Sequence, residues 1–197
     1  MPSTWQEARL YLRVAVRATG YFTSADAVTR DLPGGLVEGL VYDQPGSFVV
    51  VPRQIFERWG ITEDRAFETG LANTLLEPGV KIDRDESDSL VYAIDSSYSS
   101  TYVLAIEKLL ATPSPNGALV GVPTRSKVIA VPIRNRTVLD ALQQYPATIR
   151  KDFEAGPYPV SPVLFWWHAG TLTPISSAAG ALSLPPGLQA ILDKLGG

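Results

Sequence analysis

Residues 118–133 read ALVGVPTRSKVIAVPI. Two apolar runs, ALVGV and KVIAVPI, flank the short polar segment PTRS. Neither run alternates apolar with polar residues, so each is apolar on both faces. Such a strand belongs in the interior of a sheet, where both faces are covered. A tight turn between two strands makes them antiparallel neighbours. The stretch therefore predicts a hairpin at the centre of a largely antiparallel sheet.

The flanking sequence supplies further pieces of the same kind. GLVEGLVYD and SFVVVP surround QPG, where Pro45 sets φ for the first central turn position and Gly46 accepts the positive φ that a type II turn needs at the second. Pro52 then fits the first turn of a helix PRQIFERWG that ends at Gly60. Thr62 is placed to cap a second helix, with Glu63 and Asp64 in its first turn and Ala66, Phe67, Gly70 and Leu71 at helical spacing. VKID and SLVYAID read as strands around the acidic turn RDESD. A serine-rich loop, SSYSS, precedes a helix that aligns Tyr102, Ile106 and Leu109. Thr137 is placed to cap a helix through Val138, Leu142 and Tyr145, which Pro146 should stop or restart because it has no backbone donor. PVLFWWHAG, residues 162–170, reads as a strand with GTLTPI returning beside it, and the tail holds one short helix.

Near the start, Leu10, Leu12, Val14 and Val16 alternate with Tyr11, Arg13, Ala15 and Arg17. That period predicts a strand with one wet face, and a short helix through Trp5, Ala8 and Leu12 competes with it. Residues 19–35 read as loop. Tight turns and interleaved helices together predict one α+β domain over residues 1–197, with a largely antiparallel sheet built from hairpins and packed with several short helices. If the chain has two lobes, the Pro/Ser stretch at 112–117 is the expected boundary.

Bulk properties exclude several classes of function. The chain has 197 residues, 45% of them hydrophobic and 19% charged, enough to bury a sizeable core. Its net charge of −3 provides no basic field for a phosphate backbone, so no nucleic-acid partner is expected. Without cysteine there is no disulfide scaffold, thiolate nucleophile or cysteine-based zinc site. Glu7, Arg9, Arg13 and Arg17 interrupt any apolar leader, and no run approaches the length of a membrane helix. A cytoplasmic protein without a membrane or cofactor requirement is the expectation.

The hairpin followed by VPRQIFERWGITEDRAFETGLANT resembles the YtpQ-like family of uncharacterised bacterial proteins, which carry a helix, W/L-G-I, helix segment there. GALVGVPTRSKVIAVPI, a following helix and VSPVLFWWHAGTL continue the resemblance, which covers about residues 35–175. It implies an α+β fold and a bacterial intracellular protein, and it transfers no catalytic residue. SSYSS and FWW depart from the family, so any function built on them would be particular to this chain.

Candidate chemistry is sparse. His168 is the single histidine, too few for a histidine-based zinc site. A Ser-His-Asp triad would need a serine within its reach, and no serine stands in G-x-S-x-G. The acidic turn of Asp83, Asp85, Glu86 and Asp88 lacks the glycine and distant glutamate of a calcium loop and reads as a solvated turn. Arg134 and Arg136, with Arg125 and Lys127 on the hairpin, could engage a carboxylate or phosphate, or form an ordinary polar rim. SSYSSTY lacks the glycines and lysine of a phosphate loop and reads as a flexible loop with a hydroxyl cap.

In a strand, Val163, Phe165 and Trp167 point one way and Leu164, Trp166 and His168 the other. A central strand buries both tryptophans; an edge strand offers one of them to a partner. The reading favoured by sequence is a non-enzymatic domain that binds another protein through Trp166, Trp167, Tyr158, Arg134 and Arg136, one concrete form being an immunity-type protein that neutralises a bacterial toxin. The alternative is an enzyme or small-molecule binder with a pocket near Asp95, Tyr98, Tyr102 and His168. No catalytic or metal-ligating residue is assigned.

Overall fold

A computed structural model of the chain describes residues 1–86, 89–178 and 181–196. The fold is α+β, with antiparallel sheets of four and seven strands and several helices. The chain forms two compact units, Met1–Gly79 and Val80–Gly197. The division falls just after the EPG stop, and the Pro/Ser stretch at 112–117 lies inside the second unit.

In the first unit, helix α1 (Trp5–Tyr11) runs directly into strand β1 (Leu12–Ala18). Both readings of this segment are thus partly realised, the helix first and the strand after it. The wet face expected for the strand is absent, because Ala15 is 0% and Arg17 2% exposed. Arg17 lies against the rings of Tyr21 and Phe48, at 5.4 Å from each centroid. Segment 19–35, expected to be loop, contains strand β2 (Thr29–Leu32) and a 3₁₀ turn (Pro33–Gly35). Strand β3 (Leu36–Gln44) is the axis of the sheet: β1 pairs along one side, and β2 and β4 (Ser47–Val50) pair in succession along the other. Gly46 closes the β3–β4 turn at φ 78°, as the QPG motif predicts.

Helix α2 (Arg53–Arg58) is followed by α3 (Glu63–Thr74), whose N-cap Thr62 accepts from the Arg65 amide. An edge strand exposes unpaired backbone groups that need covering. Here α3 covers β1. Thr74 Oγ1 accepts from the Val14 amide at 3.0 Å and lies 3.2 Å from the Val14 carbonyl, while Asn73 Nδ2 donates to the Arg9 and Leu12 carbonyls. Gly70 permits the approach, since a Cβ there would lie 3.1 Å from the Arg13 backbone.

The second unit is built on a sheet in the order β11-β10-β9-β7-β8-β6-β5. Its strands are β5 (Lys81–Arg84), β6 (Val91–Ile94), β7 (Ala118–Thr124), β8 (Lys127–Pro132), β9 (Leu164–His168), β10 (Thr171–Ala178) and β11 (Ala181–Ser183). The quoted hairpin is β7–β8, and both strands are interior as predicted. On one face, Leu119, Ile129, Val131, Leu164 and Trp166 pack with helices α5 (Val138–Ala155) and α6 (Pro186–Gly196). The other face carries Val120, Val128, Ala130 and Phe165, each 0% exposed. The 3₁₀ segment Ser99–Leu104 and the short helix α4 (Ile106–Leu109) pack on that side.

Three local expectations are overturned. Helix α5 does not stop at Pro146 but continues to Ala155. A proline inside a helix costs about 3 kcal/mol. The buried residues Val138, Ala141, Leu142 and Ile149 lie on both sides of it and offset that cost, with Ile149 seated over Gly121 where a Cβ would come within 2.5 Å of its Cδ1. Thr137 makes no side-chain cap; Asn135 Oδ1 instead accepts from the Thr137 amide and hydroxyl. The serine-rich segment, read as a flexible loop, is a buried 3₁₀ turn with Ser99, Ser100 and Thr101 at 0% exposure. Its hydroxyls close it locally: Ser99 Oγ accepts from the Ser96 amide and Ser96 Oγ from the Tyr98 amide.

One half-buried carboxyl gives a pH-dependent prediction. Glu38 of β3 stands between Val16 of β1 and Arg30 of β2. Desolvation raises its pKa above 4.5, outweighing the attraction of Arg30. The folded state therefore holds the proton more tightly than the unfolded chain. Stability from this group is full below the ordinary carboxylate range and declines as pH rises through the elevated folded value. Glu38→Gln should raise the urea midpoint at pH 7, and its advantage should shrink as the pH falls below 4.5. Equal midpoint shifts at both pH values would contradict the assignment.

Candidate functional site

The strand order answers the question posed by FWW. Strand β9 lies between β7 and β10, not at an edge. Trp166 is 8% exposed and packs in the core beside α6, with Gly187 admitting its ring edge and its Nε1 donating to the Asn116 carbonyl at 3.1 Å. Trp167 points to the opposite face and is half-buried. His168 shares the Trp166 face, and its imidazole stacks on the indole at 5.0 Å between centroids and 13° between planes.

Register then locates the other sequence-predicted residues. Ala118 is opposite both Trp167 and Pro132, so Arg134 and Arg136, which follow Pro132, share an end of the sheet with Trp167. Arg134 is half-buried and donates to the Thr112 carbonyl, whereas Arg136 is exposed. Arg125 and Lys127 sit at the turn of the hairpin, roughly 20 Å away at strand spacing, so the four cations do not form one cluster. Tyr158 also lies at the turn end, next to Pro159, which bridges to Thr124. It is 55% exposed, and the Arg125 guanidinium lies 3.4 Å from its ring centroid.

Asp95, Tyr98, Tyr102 and His168 do not converge. Asp95 follows Ile94, which pairs with Lys127 at the turn end, while His168 is at the other end. Tyr98 and Tyr102 are each 4% exposed. In the acidic turn, Asp85 accepts from the Ser89 amide and hydroxyl and the Leu90 amide, so its carboxylate closes the turn. Asp88 lies outside the described residues. Among the described residues, no group of three or more His, Cys, Asp or Glu could hold a metal ion, and no helix is long and apolar enough to cross a membrane.

Among the described residues, two surfaces stand out, and sequence reasoning singled out neither as a unit. The first is a groove of about 480 Å³ at the hairpin turn, lined by Asp95, Thr124, Ser126, Lys127 and Asp152 over Ile94, Ala155 and Pro157. Lys127 Nζ meets Asp152 Oδ2 at 2.6 Å and lies 5.4 Å from the Tyr92 ring centroid. Asp95 pairs with Lys81 at 2.9 Å, a hydrogen bond that together with charge attraction holds the Lys81 ammonium above its ordinary pKa.

The second surface is apolar and belongs to the first unit. Tyr11 at the end of α1 meets Tyr42 of β3, with ring centroids 5.6 Å apart. Val49 of β4 is the cross-strand neighbour of Tyr42. Leu10, Tyr11 and Val49 are 60%, 52% and 41% exposed. The helical alternative for the N-terminal segment carried the signal: a stripe through Trp5, Ala8 and Leu12 leaves Leu10 and Tyr11 off the buried side.

Comparison with protein-family models, curated proteins and solved structures returned no match.

The burial of Trp166 predicts a large structural cost on truncation. Trp166→Ala should destabilise the protein by about 3–5 kcal/mol, and Trp167→Ala by clearly less. Denaturant unfolding followed by circular dichroism measures both. Equal losses, or a greater loss at Trp167, would contradict the placement of the two rings.

Proposed function

We propose that this chain is a non-enzymatic domain that binds another protein through the apolar surface of its first unit. The observation that carries this reading is the Tyr11–Tyr42 ring pair, in which Tyr11 is exposed and Tyr42 half-buried, together with the exposed side chains of Leu10 and Val49. Contiguous exposed apolar side chains mark interaction surfaces, and tyrosine is enriched where binding energy concentrates. The more specific form is a cytoplasmic bacterial immunity protein whose partner is a toxin. The net charge of −3 suits a basic partner.

A photo-crosslinking residue placed at Tyr11, with one at Arg136 as control, tests the proposal in cells of the native host. One discrete adduct with a different protein is expected at position 11 and not at 136, and Val49→Glu should abolish it without lowering the unfolding midpoint. A toxin in the adduct supports the immunity form; another protein supports binding and removes that form. No adduct at position 11, or the same adducts at both positions, overturns the proposal.

A further inference from the structure

The groove at the β7–β8 turn presents a different chemistry from the apolar surface and is independent of it. Its volume of about 480 Å³ lies within the usual range of small-ligand sites. Its charges are matched. Lys127 is paired with Asp152 inside the groove, and Asp95 on its wall is paired with Lys81. The side chains of Asp95, Lys127 and Asp152 are 50%, 32% and 29% exposed, so each remains within reach of a ligand. Thr124 and Ser126 add hydroxyls 3.4 Å apart.

This arrangement selects by charge. An added anion would compete with Asp152 for Lys127 while facing Asp95. An added cation would meet Lys127 and have to compete with it for Asp152. A neutral hydroxyl does neither, because it can donate to a carboxylate and accept from an ammonium or hydroxyl group simultaneously. Paired charges beside hydroxyls therefore match a ligand carrying several adjacent hydroxyl groups. Ile94, Ala155 and Pro157 provide apolar surface for the carbon skeleton of such a ligand.

Backbone geometry points to the same place. Among the described residues, the non-glycine positions with positive φ are Asp95 at 74°, Tyr158 at 55° and Ala169 at 48°. Ala169 belongs to the two-residue β9–β10 hairpin, where the turn itself calls for positive φ. Asp95 lines the groove, and Tyr158 directly follows the lining residue Pro157. For a bulky residue such as tyrosine this conformation is unfavourable, and conformations of this kind gather at functional sites. Tyr158 is held there by its carbonyl, which accepts from the Arg125 amide at 3.1 Å, and by the Arg125 guanidinium against its ring. The Tyr158 ring is 55% exposed, with the Arg125 guanidinium over it, and its backbone adjoins the groove at Pro157.

We propose that the groove formed by Asp95, Thr124, Ser126, Lys127 and Asp152 is a binding site for a neutral mono- or disaccharide. Amide chemical-shift titration of the full chain tests this. The neutral probes are glucose, galactose, N-acetylglucosamine and maltose; the charged ones are glucuronate and glucosamine. At least one neutral sugar should give saturable shifts at Ser126, Lys127, Asp152 and Gly156, and the charged analogues should bind at least tenfold more weakly. Asp152→Asn should weaken that binding at least tenfold, and so should Tyr158→Ala, whose exposed side chain can be removed without unfolding the domain. The proposal is overturned if every neutral probe binds more weakly than about 10 mM, if a charged analogue binds best, or if the shifts map away from the groove.

Discussion

The β7–β8 hairpin is apolar on both faces, and burying both is the constraint on which the second unit depends. A sheet strand of this composition has to be covered twice. One cover is helical, formed by α5 and α6 against Leu119, Ile129, Val131 and Trp166. The other is the 3₁₀ segment with α4, packed on the side of Val120, Val128 and Ala130. The demand for cover explains why α5 continues through Pro146, because stopping there would leave Ile149 unable to fill the space above Gly121. It also explains why a serine-rich segment lies in the interior: Ser96 and Ser99 satisfy local amides, which lets Tyr98 and Tyr102 be buried.

The first unit meets a different demand. Its strand β1 is an edge, and α3 occupies that edge with Thr74 and Asn73 rather than with another strand. At the other end of the helix, Arg30 of β2 lies 4.0 Å from the Phe67 ring centroid and pairs with Asp64 at 2.6 Å. The helix is thus attached at both ends to the sheet whose edge it covers. In the same unit Tyr11 and Val49 are exposed and Tyr42 is half-buried.

The legible parts of the sequence were those set by local rules. The QPG turn, the Thr62 cap and the central hairpin follow from φ requirements, side-chain hydrogen bonding and two-faced apolarity. What failed depended on partners distant in sequence. Alternation in residues 10–17 could not reveal that Arg17 would be enclosed by Tyr21 and Phe48, and Pro146 could not reveal the packing that carries the helix past it. The candidate sites were less legible still. The groove combines Asp95, Lys127 and Asp152 from distant parts of the sequence: the β6–β8 register brings Asp95 near Lys127, and α5 brings Asp152 to it. Likewise, the pairing that makes β9 interior is non-local, which is why the sequence left the position of FWW open.

The interior position of β9 is the claim from which the burial of Trp166 and the choice of candidate surfaces both follow. Native-state amide hydrogen exchange measures it directly. The account predicts that Leu164–His168 exchange with the slow amides of Ala118–Thr124 and Lys127–Pro132, and far more slowly than the edge strand Lys81–Arg84. Exchange at Leu164–His168 as fast as at Lys81–Arg84 would contradict it.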